Sequence, residues 1–158
     1  MRTVTLERET TIDRSSFLTR LTDVSLWESL GSHARLERLD VDTEVTVRTP
    51  MSVSDLPAAL ASRLPSGAEL VETYVVPGEA VGEASEVRMS ARAAGVPVEI
   101  DALIDVRDAV PDAASGTAVT VRAEISSSIP IFGSMVESAV APVLERKLAE
   151  RLAAFTAA

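Results

Sequence analysis

The amino-acid sequence predicts an α+β fold, with seven strands in one curved antiparallel sheet and a long C-terminal helix laid across it. Three observations carry this. Apolar and polar residues alternate along Val96 to Arg107 and again along Thr117 to Ile125, which is the period of a strand with one covered and one wet face. From Ser134 to Ala157 the period becomes helical. Val136, Val140, Leu144, Leu148, Leu152 and Phe155 form a stripe, with Met135, Ala139 and Val143 beside it. Upstream, Gly and Pro cut the chain into short segments joined by tight turns, which favours antiparallel neighbours.

Taken in order, Arg2 to Thr11 reads as a first strand, with Val4 and Leu6 on one side of Thr5. Asp13 is a good N-cap for a helix over Arg14 to Leu21, which carries Phe17, Leu18 and Leu21 on one face. Asp23 caps a second short helix bearing Leu26, Trp27 and Leu30, and Gly31 stands where a left-handed C-terminal residue is wanted. Two strands follow, Ala34 to Val41 and Glu44 to Thr49, with Val45 and Val47 inward and Asp40 and Asp42 marking the turn. Ser54 or Asp55 then caps a short helix with Pro57 in its first turn and Leu56, Leu60 and Leu64 as its buried stripe.

Three strand segments precede the final one. Ala68 to Val76 runs to a turn at Pro77-Gly78, and Gly82 to Ala93 leads to a tight hairpin at Ala94-Gly95. Val96 to Arg107 places Val98, Ile100, Ala102 and Ile104 on one face and Glu99, Asp101 and Asp105 on the other. After a loop over Pro111 to Gly116, the last strand turns Val119, Val121, Ala123 and Ile125 inward. The terminal helix, at about 23 residues, spans about 35 Å and needs a wide surface to dock on. Pro142 inside it leaves the Ser138 carbonyl without a partner, so a kink is expected there. Arg146 and Glu150 are spaced to pair on its outer side.

Composition bounds the function. The 158 residues suit one domain, 1–158, and 46% hydrophobic content is enough for one core. A net charge of -9 argues against nucleic acid and against docking on an anionic membrane. With no cysteine and a single histidine, thiolate chemistry and a His-rich metal centre are excluded, and no metal or cofactor is expected. Met1 to Thr11 mixes Arg and Glu with Val and Leu and is unlike a signal peptide, so a cytoplasmic location is expected, with no membrane insertion, as monomer or homodimer. One lysine, Lys147, stands against fourteen arginines, with no Asn or Gln. That usage suggests a GC-rich, actinobacterial genome.

Only five residues are Phe, Trp or Tyr, and several of the inward strand positions Val87, Met89, Ala91, Val98, Ile100, Ala102, Val119, Val121 and Ala123 are small. A wide sheet lined this way leaves a void under the helix, unless the helix's own Val, Leu and Met side chains fill it.

Three stretches resemble the START-like (SRPBCC, Bet v 1-like) superfamily, and more narrowly the actinobacterial DUF2505 family of uncharacterised proteins. They are Leu21-Thr22-Asp23 with Trp27 four residues on, Asp55-Leu56-Pro57 before a long strand, and Ile129-Pro130-Ile131-Phe132-Gly133 leading into the terminal helix. The family pattern has a proline after Asp23, where this chain has Val24. The resemblance covers nearly the whole chain. It implies a helix-grip fold and a hydrophobic cavity, and no settled activity.

Candidate chemistry is sparse. His33 reads as an exposed loop residue, and Glu99, Asp101 and Asp105 as the wet face of a strand. Ser126, Ser127 and Ser128 lack the Gly-x-Ser-x-Gly setting of a hydrolase nucleophile. Gly78 and Gly82 are turn glycines and form no phosphate loop. Of Arg8, Arg88 and Arg122, an arginine pointing inward could hold a carboxylate head group, but alternation puts the last two outward.

The leading reading is binding or carriage of a small apolar ligand, with no catalytic residues. Trp27 and Tyr74 can line a pocket and offer a polar handle, and Met89, Phe132 and Met135 can adapt to a ligand's shape. Ala91, Ile100, Ala102, Val121, Val136 and Val140 complete the expected lining. Two alternatives share the groove: a cyclase or aromatase-like enzyme, and a module that takes a partner protein's peptide.

Overall fold

A computed structural model describes residues 1–52, 54, 56–109 and 116–157. The element order is β1 (Arg2–Thr10), α1 (Arg14–Leu21), α2 (Val24–Ser29), β2 (His33–Leu39), β3 (Asp42–Pro50), α3 (Ala58–Ala61), β4 (Glu69–Pro77), β5 (Ala84–Ala93), β6 (Val98–Asp108), β7 (Thr117–Ser127) and α4 (Gly133–Phe155). The strands form one antiparallel sheet in the order β1-β7-β6-β5-β4-β3-β2. This is the α+β helix-grip architecture, with α4 held across the concave side.

Local chemistry explains most boundaries. Asp13 accepts from the Ser16 N–H at 2.7 Å and opens α1. Asp23 accepts from the Ser25 and Leu26 N–H groups at 3.0 and 3.3 Å and opens α2. These two helices carry the chain from β1 at one edge of the sheet to β2 at the other. Val24 in place of proline does not prevent the helix, because the Asp23 cap holds the Ser25 and Leu26 N–H groups and fixes the start of α2 without it. Leu30, expected on the apolar face, is the exposed C-cap instead. Gly78 is required by close approach, since a Cβ there would sit 2.0 Å from the Val41 carbonyl oxygen.

Several boundaries differ from the sequence reading. His33 opens β2 and is exposed on a strand, not a loop. The helix α3 is a single turn with Pro57 as its N-cap, so of the expected stripe only Leu60 is fully buried. Asp55 and the stretch from Pro111 to Ser115 lie outside the described residues, so the Asp55 cap and most of that loop are not placed. The strand β5 starts at Ala84, because Gly82 has φ +71, outside strand geometry. The strand β6 starts at Val98, because Pro97 has no N–H to give the ladder.

The stripe along α4 is buried at Val136, Val140, Leu148, Leu152 and Phe155, but its expected flank is rotated. Met135 is 67% exposed and Ala139 also faces solvent, while Glu137 and Ala141 on the other side are buried. Glu137 is drawn inward by two donors, the Ser127 N–H at 3.0 Å and the Met1 amine at 2.6 Å. Pro142 sits within the continuous helix, and both it and Ser138 are exposed, so water can reach the freed carbonyl. Arg146 and Glu150 form no ion pair among the described residues; Arg before Glu is the weaker order for a helix pair. Among the described residues no helix is long and apolar enough to cross a membrane.

Candidate functional site

The helix α4 packs chiefly over β1 and β7 and touches α1. The sheet is wider than that footprint, so the inner face of β4, β5 and β6 is left partly uncovered. A cavity of about 120 Å³ lies there, between sheet and helix. Its floor is Leu70 and Glu72 of β4, Met89 and Ala91 of β5, and Val98 and Ile100 of β6. Its roof is one side of α4, from Val140 through Val143, Leu144 and Lys147 to Leu148 and Arg151. Met51, Leu56 and Leu60 close one flank, and the β5–β6 hairpin closes another through Ala93 and Val96. That hairpin turns on Gly95, whose φ of +80 suits glycine and where a Cβ would press on Pro65 after α3.

The wall is mostly apolar, with Thr49, Arg92 and Lys147 also among its lining residues, and one end carries a buried charged cluster. Glu72 alternates in phase with Tyr74 and Val76, so all three point inward and are buried. Glu72 Oε2 accepts from the Tyr74 hydroxyl at 2.6 Å and from Arg151 Nη1. Arg151 Nη1 also lies 3.0 Å from the Tyr74 oxygen. Its guanidinium stands over the Trp27 ring at 5.1 Å, a favourable cation–π position. Glu72 is 1% exposed, and its Oε1 has no hydrogen-bond partner among the described residues.

Burial holds the Tyr74 hydroxyl well above the ordinary phenol range; the nearby Arg151 charge opposes this and Glu72 reinforces it. Burial acts to lower Arg151, but its partners, the Tyr74 hydroxyl and the Glu72 carboxylate, outweigh that, and the guanidinium stays charged at any working pH.

Behind this cluster the interior is filled. Trp27, fully buried, stacks at tilted angles on Tyr74 and Phe155, with centroids 5.3 and 4.6 Å away. Its indole N–H donates to the Leu21 carbonyl at 2.9 Å. A second void of about 20 Å³ remains among Phe17, Tyr74, Val121 and Phe155. Leu148 and Arg151 border both spaces and partition them.

Of the eleven residues expected at the site, Met89, Ala91, Ile100 and Val140 line the larger cavity. Tyr74 and Val121 line the smaller void. Trp27, Ala102 and Val136 are buried in the core but reach neither wall. Trp27 and Tyr74 spend their polar atoms on protein partners, which is why their handles do not face a ligand. Phe132 and Met135 sit on the outer side of the α4 start, 57% and 67% exposed, because the helix is rotated toward Glu137.

Sequence reasoning missed Glu72 and Arg151. Both were legible as charges in phase with apolar neighbours. Glu72 falls on the Leu70-Tyr74-Val76 face, and Arg151 lies three residues after Leu148 and four before Phe155.

Comparison with known proteins agrees with the fold. A family model described as "Protein of unknown function (DUF2505)" matches residues 7–158. No curated protein matches the chain in sequence. Among solved structures, the ZhuI aromatase/cyclase from Streptomyces sp. R1128 is similar with a TM-score of 0.64 at 10% identity, covering 98% of this chain and 91% of that one. TTHA0849 from Thermus thermophilus gives 0.60 at 14% identity, covering 98% and 94%. The protein Ara h 8.0201 gives 0.55 at 10% identity, covering 98% and 95%. At such identities the likeness establishes the Bet v 1-like fold and nothing finer.

Proposed function

We propose, from the premise that this chain belongs to the DUF2505 family over residues 7–158, that it binds and carries a small apolar molecule between its sheet and α4. The observation that supports this is the cavity of about 120 Å³ with a mostly apolar wall. Apolar voids of roughly 150 Å³ stay dry and accept a benzene-sized guest. Apolar side chains that face empty space forfeit packing contacts on that side. A guest recovers part of that. A guest larger than one ring extends toward the flank formed by Met51, Leu56 and the β5–β6 hairpin.

The test is native mass spectrometry of the protein purified from the organism that encodes it, with melting curves against single-ring aromatics, fatty acids, sterols and polyketides. A bound mass of a few hundred daltons or less, or a guest that raises the melting temperature, is the expected result. An empty protein that no panel member stabilises would overturn the reading.

A second reading, an enzyme of the cyclase or aromatase kind, draws support from the Glu72–Tyr74–Arg151 cluster on the wall. It ranks second because Tyr74 and Arg151 are held protonated. They can donate hydrogen bonds but cannot cycle protons near neutrality, which leaves Glu72 alone for that work. Incubation with a linear poly-β-ketone thioester separates the two readings: the carrier returns it unchanged, the enzyme returns a ring that the Glu72→Gln variant does not form.

A further inference from the structure

We infer that the molecule held in this cavity is neutral and carries a hydrogen-bond donor, a hydroxyl or an N–H, that Glu72 Oε1 receives. The inference rests on the reading of the cavity as a ligand site. Glu72 is on the cavity wall and almost wholly buried. Its Oε2 is occupied by Tyr74 and Arg151, while Oε1 has no partner among the described residues. A buried acceptor without a donor is destabilising, and native interiors rarely leave one.

The register places what surrounds it. Glu72 pairs directly with Ala91, and Ala91 with Ile100, on adjoining strands. The small Ala91 side chain makes room beside the carboxylate, and Ile100 continues the apolar floor. A guest whose donor meets Oε1 lays its apolar body along that row.

Charge selects the donor. An ammonium group would add a cation beside Arg151, with Lys147 on the same wall. A carboxylate has no hydrogen to give Oε1 and would face the Glu72 charge, which offsets the attraction of Arg92, Lys147 and Arg151 on the same wall. A neutral O–H or N–H leaves the Glu72–Arg151 pair intact and fills the vacant acceptor.

Calorimetry with four probes of matched shape tests this: p-cresol, p-xylene, 4-methylbenzoate and 4-methylbenzylammonium. The expected order puts p-cresol at least about tenfold tighter than p-xylene, as a hydrogen bond to a charged acceptor provides, with both ions weaker than p-cresol. In the wild type, the Glu72 side-chain carboxyl carbon resonance should move with p-cresol and not with p-xylene. In the E72L/R151M double variant, where an apolar pair replaces the ion pair, p-xylene still binds and the preference for p-cresol disappears.

Equal affinity for p-cresol and p-xylene, a still Glu72 resonance, a preference that survives the double variant, or tighter binding of either ion each overturns the inference and leaves the cavity reading standing. Binding by none of the four overturns both.

Discussion

The two ends of the space beneath α4 are built from the same sheet and the same helix, yet one is solid and the other hollow. At one end, against Tyr74 of β4, Ile104 of β6 and Val121 of β7, the aromatic side chains of Trp27, Tyr74, Phe17 and Phe155 gather and leave about 20 Å³. Further along the same strands the floor is Glu72 of β4, Met89 and Ala91 of β5, and Val98 and Ile100 of β6, and about 120 Å³ remains. Four of the chain's five aromatic residues are at the solid end. Side-chain volume, not backbone topology, therefore decides where the molecule has room. The Glu72–Arg151 pair stands at the border, with Trp27 behind it and the cavity in front.

The largest expected effect comes from attacking the solid end. Trp27→Ala removes the ring that Tyr74, Phe155 and Arg151 pack on and should destabilise the fold by about 3–5 kcal/mol in urea unfolding. Met89→Ala at the hollow end should lie at or below the bottom of the ~2–5 kcal/mol range for such a change, since its neighbours already lack full contact. Equal losses at the two positions would mean that the hollow end is packed as tightly as the solid one.

The border pair gives the next test, and it is asymmetric. Glu72 is fully buried, whereas the Arg151 side chain keeps 19% exposure. Arg151→Met strands a carboxylate in the interior and should cost about 3 kcal/mol or more. Glu72→Gln keeps an acceptor for Tyr74 and leaves an arginine that can turn toward water, so its loss should be clearly smaller. The double change E72L/R151M should restore stability to within about 1–2 kcal/mol of wild type, because an apolar pair often replaces a buried ion pair at little net cost. A loss in the double variant equal to the sum of those in Glu72→Leu and Arg151→Met alone would show that the two side chains do not act as a unit.

The same single substitution can be placed at both ends. Ala91→Leu points into the cavity and should leave stability unchanged or raise it by about 0.5–2 kcal/mol, while weakening guest binding. Ala123→Leu falls under the helix on β7, where the side chain is fully buried and Val4 and Ala102 are its direct partners. Overpacking there should cost about 1–3 kcal/mol. Opposite signs in thermal unfolding are the expected outcome; the same sign at both would mean that the cavity is not available to a side chain.

How much of this contrast is legible in the sequence differs by level. The strands and α4 follow from periodicity, because one wet face and one covered face stamp alternation directly onto Val98-Ile100-Ala102-Ile104 and onto the helix stripe. Asp13 and Asp23 mark helix starts because capping is a contact within three residues. The position of the cavity is another matter. It depends on where along the strands the large side chains converge, and that is fixed by contacts between residues far apart, such as Trp27 with Phe155.

Composition shows that aromatics are few but not that they converge at one end. The rotation of α4 is similarly hidden, because Glu137 is buried through a backbone N–H of β7 and the Met1 amine, neither of which is visible in the helix's own pattern. Glu72 and Arg151 were within reach, since each is a charge in phase with buried neighbours.

The smallest effect concerns acid, and it too divides the molecule. The Asp13 carboxyl is held below its ordinary 3.8, first by the Ser16 N–H and then by the Ser16 hydroxyl. The Asp23 carboxyl is held below 3.8 chiefly by the Ser25 hydroxyl, with help from the Leu26 and Ser25 N–H groups. A carboxylate whose folded pKa is lowered contributes stability that is complete above its unfolded value and fades as pH falls through the folded one. Stability should therefore be flat near neutrality and decline once pH drops below about 4.

Both of these caps belong to α1 and α2, at the solid end, whereas α3 beside the cavity has no side-chain cap among the described residues. Amide hydrogen exchange at decreasing pH should accordingly loosen α1 and α2 before the strands beneath the cavity. Asn keeps the cap acceptor but does not titrate, so Asp13→Asn with Asp23→Asn should flatten the acid decline while leaving stability at pH 7 nearly unchanged. An acid slope identical to wild type would assign the decline to other carboxylates, and loosening that begins at the cavity strands would place the acid-sensitive region at the hollow end instead.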